Sequence, residues 1–308
     1  MDVIGLGTLA MDILRKVDKL PGEDSFCVVE NTAYAPGGSG TNVIVQMARL
    51  GAKCGYVGKV SDDKIGEEII VNLKQEGVDT SFMVIKKGGT TLHTEIVIDR
   101  AGKKFILLNL GDVFHTLGVD EVNTEAIQTA AVFYTDLLPF EPAVKGLKTA
   151  KESGRKTAFN MQTGLDTMKG FGISKEDIFN VLPYTDVFAP CQEGLYALTD
   201  TTDLEECRKR LRKYCSGVLL FTLGSKGSVA YDKEDNRYEI PCRKINCVDT
   251  TGAGDSYLGS FLYSYFLKKD SVENSMKLAT DCAAYTCTGI GARYSPTVEQ
   301  IKNFVKLD

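Results

Sequence analysis

The sequence predicts an α/β fold, a mainly parallel sheet flanked by helices in three layers. Three observations carry that expectation. Short apolar runs alternate with helical patterns from one end of the chain to the other, as successive strand and helix units require. No internal repeat, low-complexity tract or linker interrupts the alternation. The length of 308 residues exceeds the commonest domain size yet suits one α/β unit with a substantial core, so residues 1–308 are expected to form a single domain.

Taken in order, strands are expected at Val3 to Leu6, Gly55 to Val60, Ala131 to Tyr134, Thr157 to Phe159, Asp186 to Ala189 and Val218 to Thr222, each a short apolar run. Helices are expected over about 40–51, 63–76, 141–153, 203–213, 254–268, 271–288 and 297–306. In such a sheet ligands gather at the carboxyl ends of the strands. Two segments break the alternation. Residues 13–35 contain Pro21-Gly22 and the β-compatible run Phe26-Cys27-Val28-Val29, while Thr90 to Ile98 and Lys103 to Leu108 flank Asp99-Arg100-Ala101-Gly102, a junction suited to a hairpin. On pattern alone, that hairpin could simply edge the main sheet.

Composition excludes several classes. A net charge of −5, a pI near 5.3 and the lack of any Lys/Arg block argue against a nucleic-acid surface. The chain does not open on a basic segment followed by a sustained apolar run, and no apolar stretch approaches membrane-spanning length, so no membrane partner and a cytoplasmic location are expected. The nine cysteines are scattered and lack paired C-x-x-C spacing, and His93 and His115 are the only histidines. Neither disulfides nor structural zinc is expected, and most of the cysteines should be small reduced core residues.

The chemistry concentrates in Asp249-Thr250-Thr251-Gly252-Ala253-Gly254-Asp255, which runs into a helical stretch with Leu258, Phe261, Leu262, Tyr265 and Phe266 on one face. Its small residues let the backbone amides of Gly252, Ala253 and Gly254 turn toward one point, where the helix adds its positive end: an anion cradle. Asp255 beside that cradle is placed to take a hydroxyl proton as the oxygen attacks phosphorus. The plainer alternative is a glycine turn whose Asp caps the helix. Near the other end, Pro36-Gly37-Gly38-Ser39-Gly40-Thr41-Asn42 opens a second helical pattern. Gly37 and Gly38 would let a polyhydroxy ligand approach the main chain, and Asn42 offers a donor and an acceptor on one side chain. Together, and in this order, the two segments resemble the paired signatures of the ribokinase-like (PfkB) family of carbohydrate kinases. The resemblance covers essentially the whole chain.

That resemblance implies a ribokinase-like fold in which the two irregular segments, about 13–35 and 90–110, form a small β-sheet lid over the sugar site, and a homodimer made through the lid. It also implies further site residues. Asp12, after the first strand, resembles the acidic residue that binds sugar hydroxyls, its two oxygens suited to a vicinal diol. Asp136 is a second candidate substrate contact. Thr222-Leu223-Gly224-Ser225-Lys226-Gly227 resembles the family's nucleotide loop, with Thr222, Gly224 and Gly227 toward ATP, although the pattern also suits a plain hairpin turn. Thr280 and Gly291-Ala292 fall in stretches that in the family surround the adenine and, with Asp249 and Thr251, help form a monovalent-cation site for K⁺.

One departure matters. Where family members carry Asn-x-x-Glu to organise Mg²⁺, this chain reads Pro190-Cys191-Gln192-Glu193-Gly194, with Cys191 in place of the Asn and Gly194 in place of the Glu. Glu193 either reaches the metal-bound water after a local shift or is a carboxylate favoured at a helix start.

The activity implied is ATP-dependent, Mg²⁺-assisted phosphorylation of a primary alcohol on a free sugar or sugar acid held by Asp12, Gly37, Gly38 and Asn42. A phosphosugar would call on Arg100, Lys103 and Lys104 of the lid, and a nucleoside on an aromatic slot from Phe26, Phe105 or Phe114. The altered segment at Cys191 to Gly194 motivates a reading of another class, a sensor that binds sugar or nucleotide with little turnover.

Overall fold

The computed structural model describes residues 1–306. The chain opens with β1 (Val3–Leu6), followed by β2 (Ala10–Val17), β3 (Val29–Gly37) and α1 (Ser39–Arg49). Next come β4 (Cys54–Ser61), α2 (Lys64–Gln75), β5 (Val78–Asp79), β6 (Met83–Lys86), β7 (His93–Ile98) and β8 (Lys104–Asn109). The middle third holds α3 (Thr124–Thr129), β9 (Val132–Thr135), α4 (Phe140–Glu152), β10 (Lys156–Met161), α5 (Leu165–Gly170), α6 (Lys175–Val181) and β11 (Val187–Pro190). Then follow α7 (Gln192–Thr199), α8 (Leu204–Arg212), β12 (Val218–Thr222), β13 (Ser228–Tyr231), β14 (Arg237–Ile240), α9 (Ala253–Leu262), α10 (Val272–Thr286) and α11 (Val298–Val305).

The main sheet runs β14-β13-β12-β11-β10-β9-β1-β4-β5, with β6 paired to the end of β4. It is parallel from β12 to β5, and β13 and β14 extend it as antiparallel strands. Parallel strands are covered on both faces, so they should be apolar throughout. Every residue of β1, β4, β9 and β11 is buried. All six strands expected from the apolar runs lie in this sheet, with ends moved by a residue or two.

Most of the elements that were not anticipated, β6 and β13 apart, share a physical cause. β5 has two residues, β14 alternates between exposed and half-buried positions, and α3, α5, α6 and α7 run six to eight residues, too short to display a helical period. The helix expected over 254–268 changes character part-way: α9 stops at Leu262 and the chain continues as a π-helix over Tyr263–Lys268.

A second, separate sheet runs β3-β2-β7-β8. The hairpin around residues 99–102 therefore pairs with β2 and does not edge the main sheet. This small sheet starts earlier than expected, at Ala10, and Phe26 to Val28 lie outside its strands, with Phe26 92 % exposed. Of the cysteines, only Cys54, Cys207, Cys215 and Cys282 are buried. Cys27, Cys191 and Cys287 are half-buried and Cys242 and Cys247 exposed, so the expectation of mostly core thiols holds for fewer than half. Among the described residues no helix is long and apolar enough to cross a membrane.

What positions the site is the pairing of α1 with α9. These helices carry the two glycine-rich segments at their N-termini, pack against one another, and are joined in the core by Gln46 Nε2 donating to Ser260 Oγ at 3.0 Å. Gly38, at the start of α1, has φ +85°, and a Cβ there would lie 2.7 Å from the Leu9 Cα. Only glycine lets the β3–α1 turn settle against the end of β1 in this way.

Candidate active site

A cavity at the carboxyl edge of the main sheet is lined by Asn160, Gln162, Cys191, Thr222, Gly252 and Asp255, among others. Gly252 precedes α9 with φ +77°, and a Cβ on it would sit 2.2 Å from the Ala292 carbonyl oxygen. The turn is thus open only to glycine, and the loop after α10 closes over its back. Gly252 and Gly254 face the cavity. The Ala253 amide does not share that duty, since it donates to the Thr250 carbonyl oxygen at 3.2 Å. Of the three positions expected to form an anion cradle, Gly252 and Gly254 are the two that line the cavity, at the positive end of α9.

Asp255 sits in the first turn of α9 with both oxygens engaged by α1. Ser39 Oγ donates to Oδ1, and Asn42 Nδ2 donates to Oδ2 at 2.9 Å. Burial pushes this carboxyl up to about 6, against the opposing pull of those hydrogen bonds and of the Arg293 charge. Asp255 does not cap its own helix, so the plainer reading of the GAGD segment is set aside. Its carboxylate crosses to the other glycine-rich segment.

Asp12 faces β7, where its partner across the ladder, Thr94, donates its hydroxyl to Oδ1. Burial raises the Asp12 pKa, while Thr94 and Arg293 act to lower it. Its Oδ2 would meet a Cβ on Gly37 at 2.8 Å, so that oxygen lies against the glycine backbone expected to receive a polyhydroxy ligand. Asp136 is committed differently. Oδ2 accepts from the Thr8 amide at 2.8 Å, the Thr8 hydroxyl at 2.5 Å and Gln162 Nε2 at 2.9 Å, and Oδ1 accepts from the Leu138 amide at 3.2 Å. It ties the end of β1 to the end of β9.

Thr222 ends β12 at the cavity wall. Gly224 and Gly227 form the turn from β12 to β13 with φ +59° and +90°, so the TLGSKG segment is a hairpin turn that meets the cavity at Thr222. Thr280 is half-buried on α10. Asp249 accepts from the Thr251 amide and hydroxyl at 3.0 and 2.7 Å and from the Gly291 amide at 2.9 Å. Burial would raise its pKa, but these bonds, with Lys104 nearby, hold it below the ordinary value. Asp249 thereby clasps the 249–251 turn to the loop after α10.

The departure at Cys191 has a local explanation. Cys191 is the N-cap of α7, and its Sγ accepts from the Gly194 amide at 3.3 Å, the place a side-chain oxygen usually takes. Burial, first among several influences, keeps this thiol above its ordinary pKa. The Glu193 carboxylate is packed against Gly164, occupying the space a Cβ there would fill, and Cys191 lines the cavity in front of it.

The residues present fit a nucleotide phosphate at this edge: Gly252 and Gly254 line the cavity where α9 points its N-terminus. Among the described residues no three His, Cys, Asp or Glu side chains are grouped to hold a metal by themselves.

A model of the pfkB family of carbohydrate kinases matches residues 2–299. The chain belongs to that family. It is 29 % identical to a 5-dehydro-2-deoxygluconokinase of Clostridium perfringens, over 99 % of this chain and 93 % of the relative. It is 27 % identical to fructokinase-1 of Zea mays, over 94 % of this chain and 95 % of the relative. Among solved structures, an E. coli protein described as a ribokinase II, in complex with ATP and Mg²⁺, superposes with a TM-score of 0.87 at 18 % identity, covering 100 % of this chain and 99 % of the other. That last likeness is one of fold.

The kinase's structure also brings in residues that the motifs did not single out. Arg293 donates from Nε to Asn42 Oδ1 at 3.1 Å and from Nη2 to Thr41 Oγ1 at 2.9 Å, and it reaches Asn72 and the Gly37 carbonyl as well. Asn42, expected to bind substrate, is held at both ends, by Arg293 and Asp255. Gln162 bridges Thr8 and Asp136, and Asn160 approaches Ser39 and Tyr134 at 3.4 Å. Both follow from a position legible in sequence, the end of a parallel strand, which is where ligand-facing polar residues fall. Arg293 had no such signal.

The groups expected to hold a substrate phosphate or base are dispersed. Arg100 pairs with Asp18 at 3.2 Å and Glu30 at 2.5 Å, Phe114 is buried in the core, and Phe26 points to solvent.

Proposed function

We propose that the protein transfers the γ-phosphoryl group of ATP to a primary alcohol of a small free sugar or sugar acid, with Asp255 as the general base. The observation that carries this reading is the placing of Asp255: a cavity-lining carboxylate, raised to about 6, beside the Gly252 turn at the N-terminus of α9. At pH 7 such a group is about ten to one ionised, yet it is a stronger proton acceptor than an ordinary carboxylate. The acceptor's oxygen attacks phosphorus, the bond from phosphorus to the bridging oxygen of ADP breaks, and the hydroxyl proton passes to Asp255. Gly252, Gly254 and the α9 dipole stabilise the charge on the transferring group, with Ala253 supporting the turn. Asp12 and the backbone at Gly37 and Gly38 hold neighbouring hydroxyls, and Asn42 steadies the base.

Thr222, Gly224, Gly227 and Thr280 are assigned to ATP. Mg²⁺, when bound with the nucleotide, neutralises phosphate charge, and Glu193 is its candidate carboxylate through water. Asp249 and Thr251 remain the candidate K⁺ site, where a cation would brace the turn that carries Gly252. β8 is exposed at every position, including Phe105, Ile106, Leu107 and Leu108. A strand with both faces uncovered supports a lid that closes over substrate on one side and pairs with a second copy on the other. The relatives' names, a 5-dehydro-2-deoxygluconokinase and a fructokinase, support a sugar or sugar-acid acceptor.

The test is ADP formation from MgATP across pentoses, hexoses, sugar acids, phosphosugars and nucleosides, with Asp255→Asn as control. Selective turnover of a sugar or sugar acid that is lost in the control is the expected result. Turnover confined to nucleosides or phosphosugars would overturn the acceptor class, and ligand binding without turnover of any acceptor would favour a sensor.

A further inference from the structure

Arg293 lies on the loop between α10 and α11, far in sequence from everything it touches. Half-buried as a residue, it keeps its guanidinium bonded to α1 through Asn42 and Thr41, to α2 through Asn72, and to the end of β3 through the Gly37 carbonyl. Burial lowers its pKa to about 10, which leaves it charged at any working pH.

We propose that Arg293 is a positioning residue for phosphoryl transfer: by taking Asn42 Oδ1 it turns the Asn42 amide N–H toward Asp255, and it fixes a positive charge behind that carboxylate. The inference rests on Asp255 being the base. Its logic is the donor inventory. A guanidinium only donates and an ionised carboxylate only accepts, so an amide held between them satisfies both in one orientation alone. That orientation is the one present, with Arg293 Nε on Oδ1 at 3.1 Å and Nδ2 on Asp255 Oδ2 at 2.9 Å. The flipped amide would set N–H against N–H and oxygen against carboxylate. The remaining arms of the fork, on Thr41, Asn72 and Gly37, stop the guanidinium from turning away.

Other charged and titratable groups face the same place. Tyr134 on β9 and Asp136 just after it face Asp255, whose charge raises the pKa of both. Asp12 on β2 also feels the Arg293 charge, and Tyr56 on β4, Arg49 at the end of α1 and Glu76 after α2 surround the guanidinium. Arg293 opposes burial in setting when Asp255 is ionised.

The experiment measures kcat/KM for the acceptor from about pH 5 to about pH 9 in wild type, Arg293→Met, Arg293→Lys, Asn42→Ala and the Met/Ala double variant, with thermal unfolding of each. Removing the fork should move the acid limb up by about one pH unit. Activity then falls about fivefold at pH 6 and recovers to within about twofold of wild type at pH 9. The double variant should shift by less than the sum of the two single shifts, because the Arg293–Asn42–Asp255 path is shared while the Arg293 charge acts besides it. The Lys variant keeps the charge and should recover part of the shift. In folded variants, an unmoved limb, a loss equal at every pH, or additive shifts would overturn the proposal. So would a limb that vanishes in Asp136→Asn but stays put in Arg293→Met, since the titration would then belong to Asp136. Failure of the base reading looks different, because Asp255→Asn would then retain wild-type activity whatever Arg293 does. Should the Met variant fail to fold, the Lys and Asn42→Ala profiles carry the same comparison.

Discussion

Asp136 and Asp255 are both buried, both raised to about 6, and both lie at the same edge of the sheet, but they are held in opposite ways. Asp136 accepts from two backbone amides as well as from Thr8 and Gln162 side chains. Asp255 accepts from two side chains, Ser39 and Asn42, and opens on the cavity. Backbone donors cannot be withdrawn without moving a strand end, whereas a serine hydroxyl leaves by rotating about one bond. Burial by itself raises proton affinity at both sites. Of the two, only Asp255 lines the cavity and has a partner, the Ser39 hydroxyl, that rotation removes, which supports it as the proton acceptor.

The largest contrast should come from making the same change at each. Asp255→Asn is expected to cost about a hundredfold to ten-thousandfold in turnover, the range for losing a positioned base. It should fold, because Ser39 can reverse its hydroxyl to accept from the new amide. Asp136→Asn should instead lose about 1–3 kcal/mol of stability, since an amide N–H replaces an acceptor among fixed donors, while losing far less turnover. Urea midpoints and turnover measured side by side decide the matter. A stable but inactive Asp136→Asn would break the contrast.

A smaller effect follows from pH. Each folded carboxyl binds its proton more tightly than the unfolded chain, whose value is near 3.8. The stability these groups contribute is therefore fully present below that value and is lost as pH rises through about 6. A shift of this size corresponds to at most about 3 kcal/mol per group. Other carboxylates move the opposite way, Glu95 lowered by its bond to Arg15 among them, so the informative quantity is a difference. The stability of Asp255→Asn relative to wild type should grow between about pH 4.5 and about pH 7. A gap that stays constant would mean that Asp255 titrates alike folded and unfolded.

The same two carboxylates mark how far the sequence could be read. The main sheet was legible because its strands are contiguous apolar runs, and the GAGD and GGSGTN segments because their chemistry is local. Asp255 was legible as a candidate base for that reason. The commitment of Asp136 to Thr8 was not, since 128 positions separate them and neither residue type implies the other. Arg293 lies 251 positions from Asn42, and a lone arginine in a loop carries no pattern. Motifs report what neighbours in sequence can do, and the second layer of a site is assembled by the fold.

Glu193 provides a third carboxylate and the smallest expected effect. It is neither enclosed by donors like Asp136 nor open on the cavity like Asp255, being packed on Gly164 behind Cys191. The proposed role on Mg²⁺ is through water. Glu193→Gln should therefore raise the Mg²⁺ needed for half-maximal turnover by about two- to fivefold, in keeping with a cation held mainly by phosphates and water. Turnover at saturating Mg²⁺ and the acid limb of the pH profile should not move. An unchanged Mg²⁺ requirement, with stability reduced by about 0.3–1 kcal/mol, would make Glu193 a carboxylate that serves the α7 dipole. The Cys191–Gly194 segment would then be a helix start capped by sulfur, with the metal left to the nucleotide.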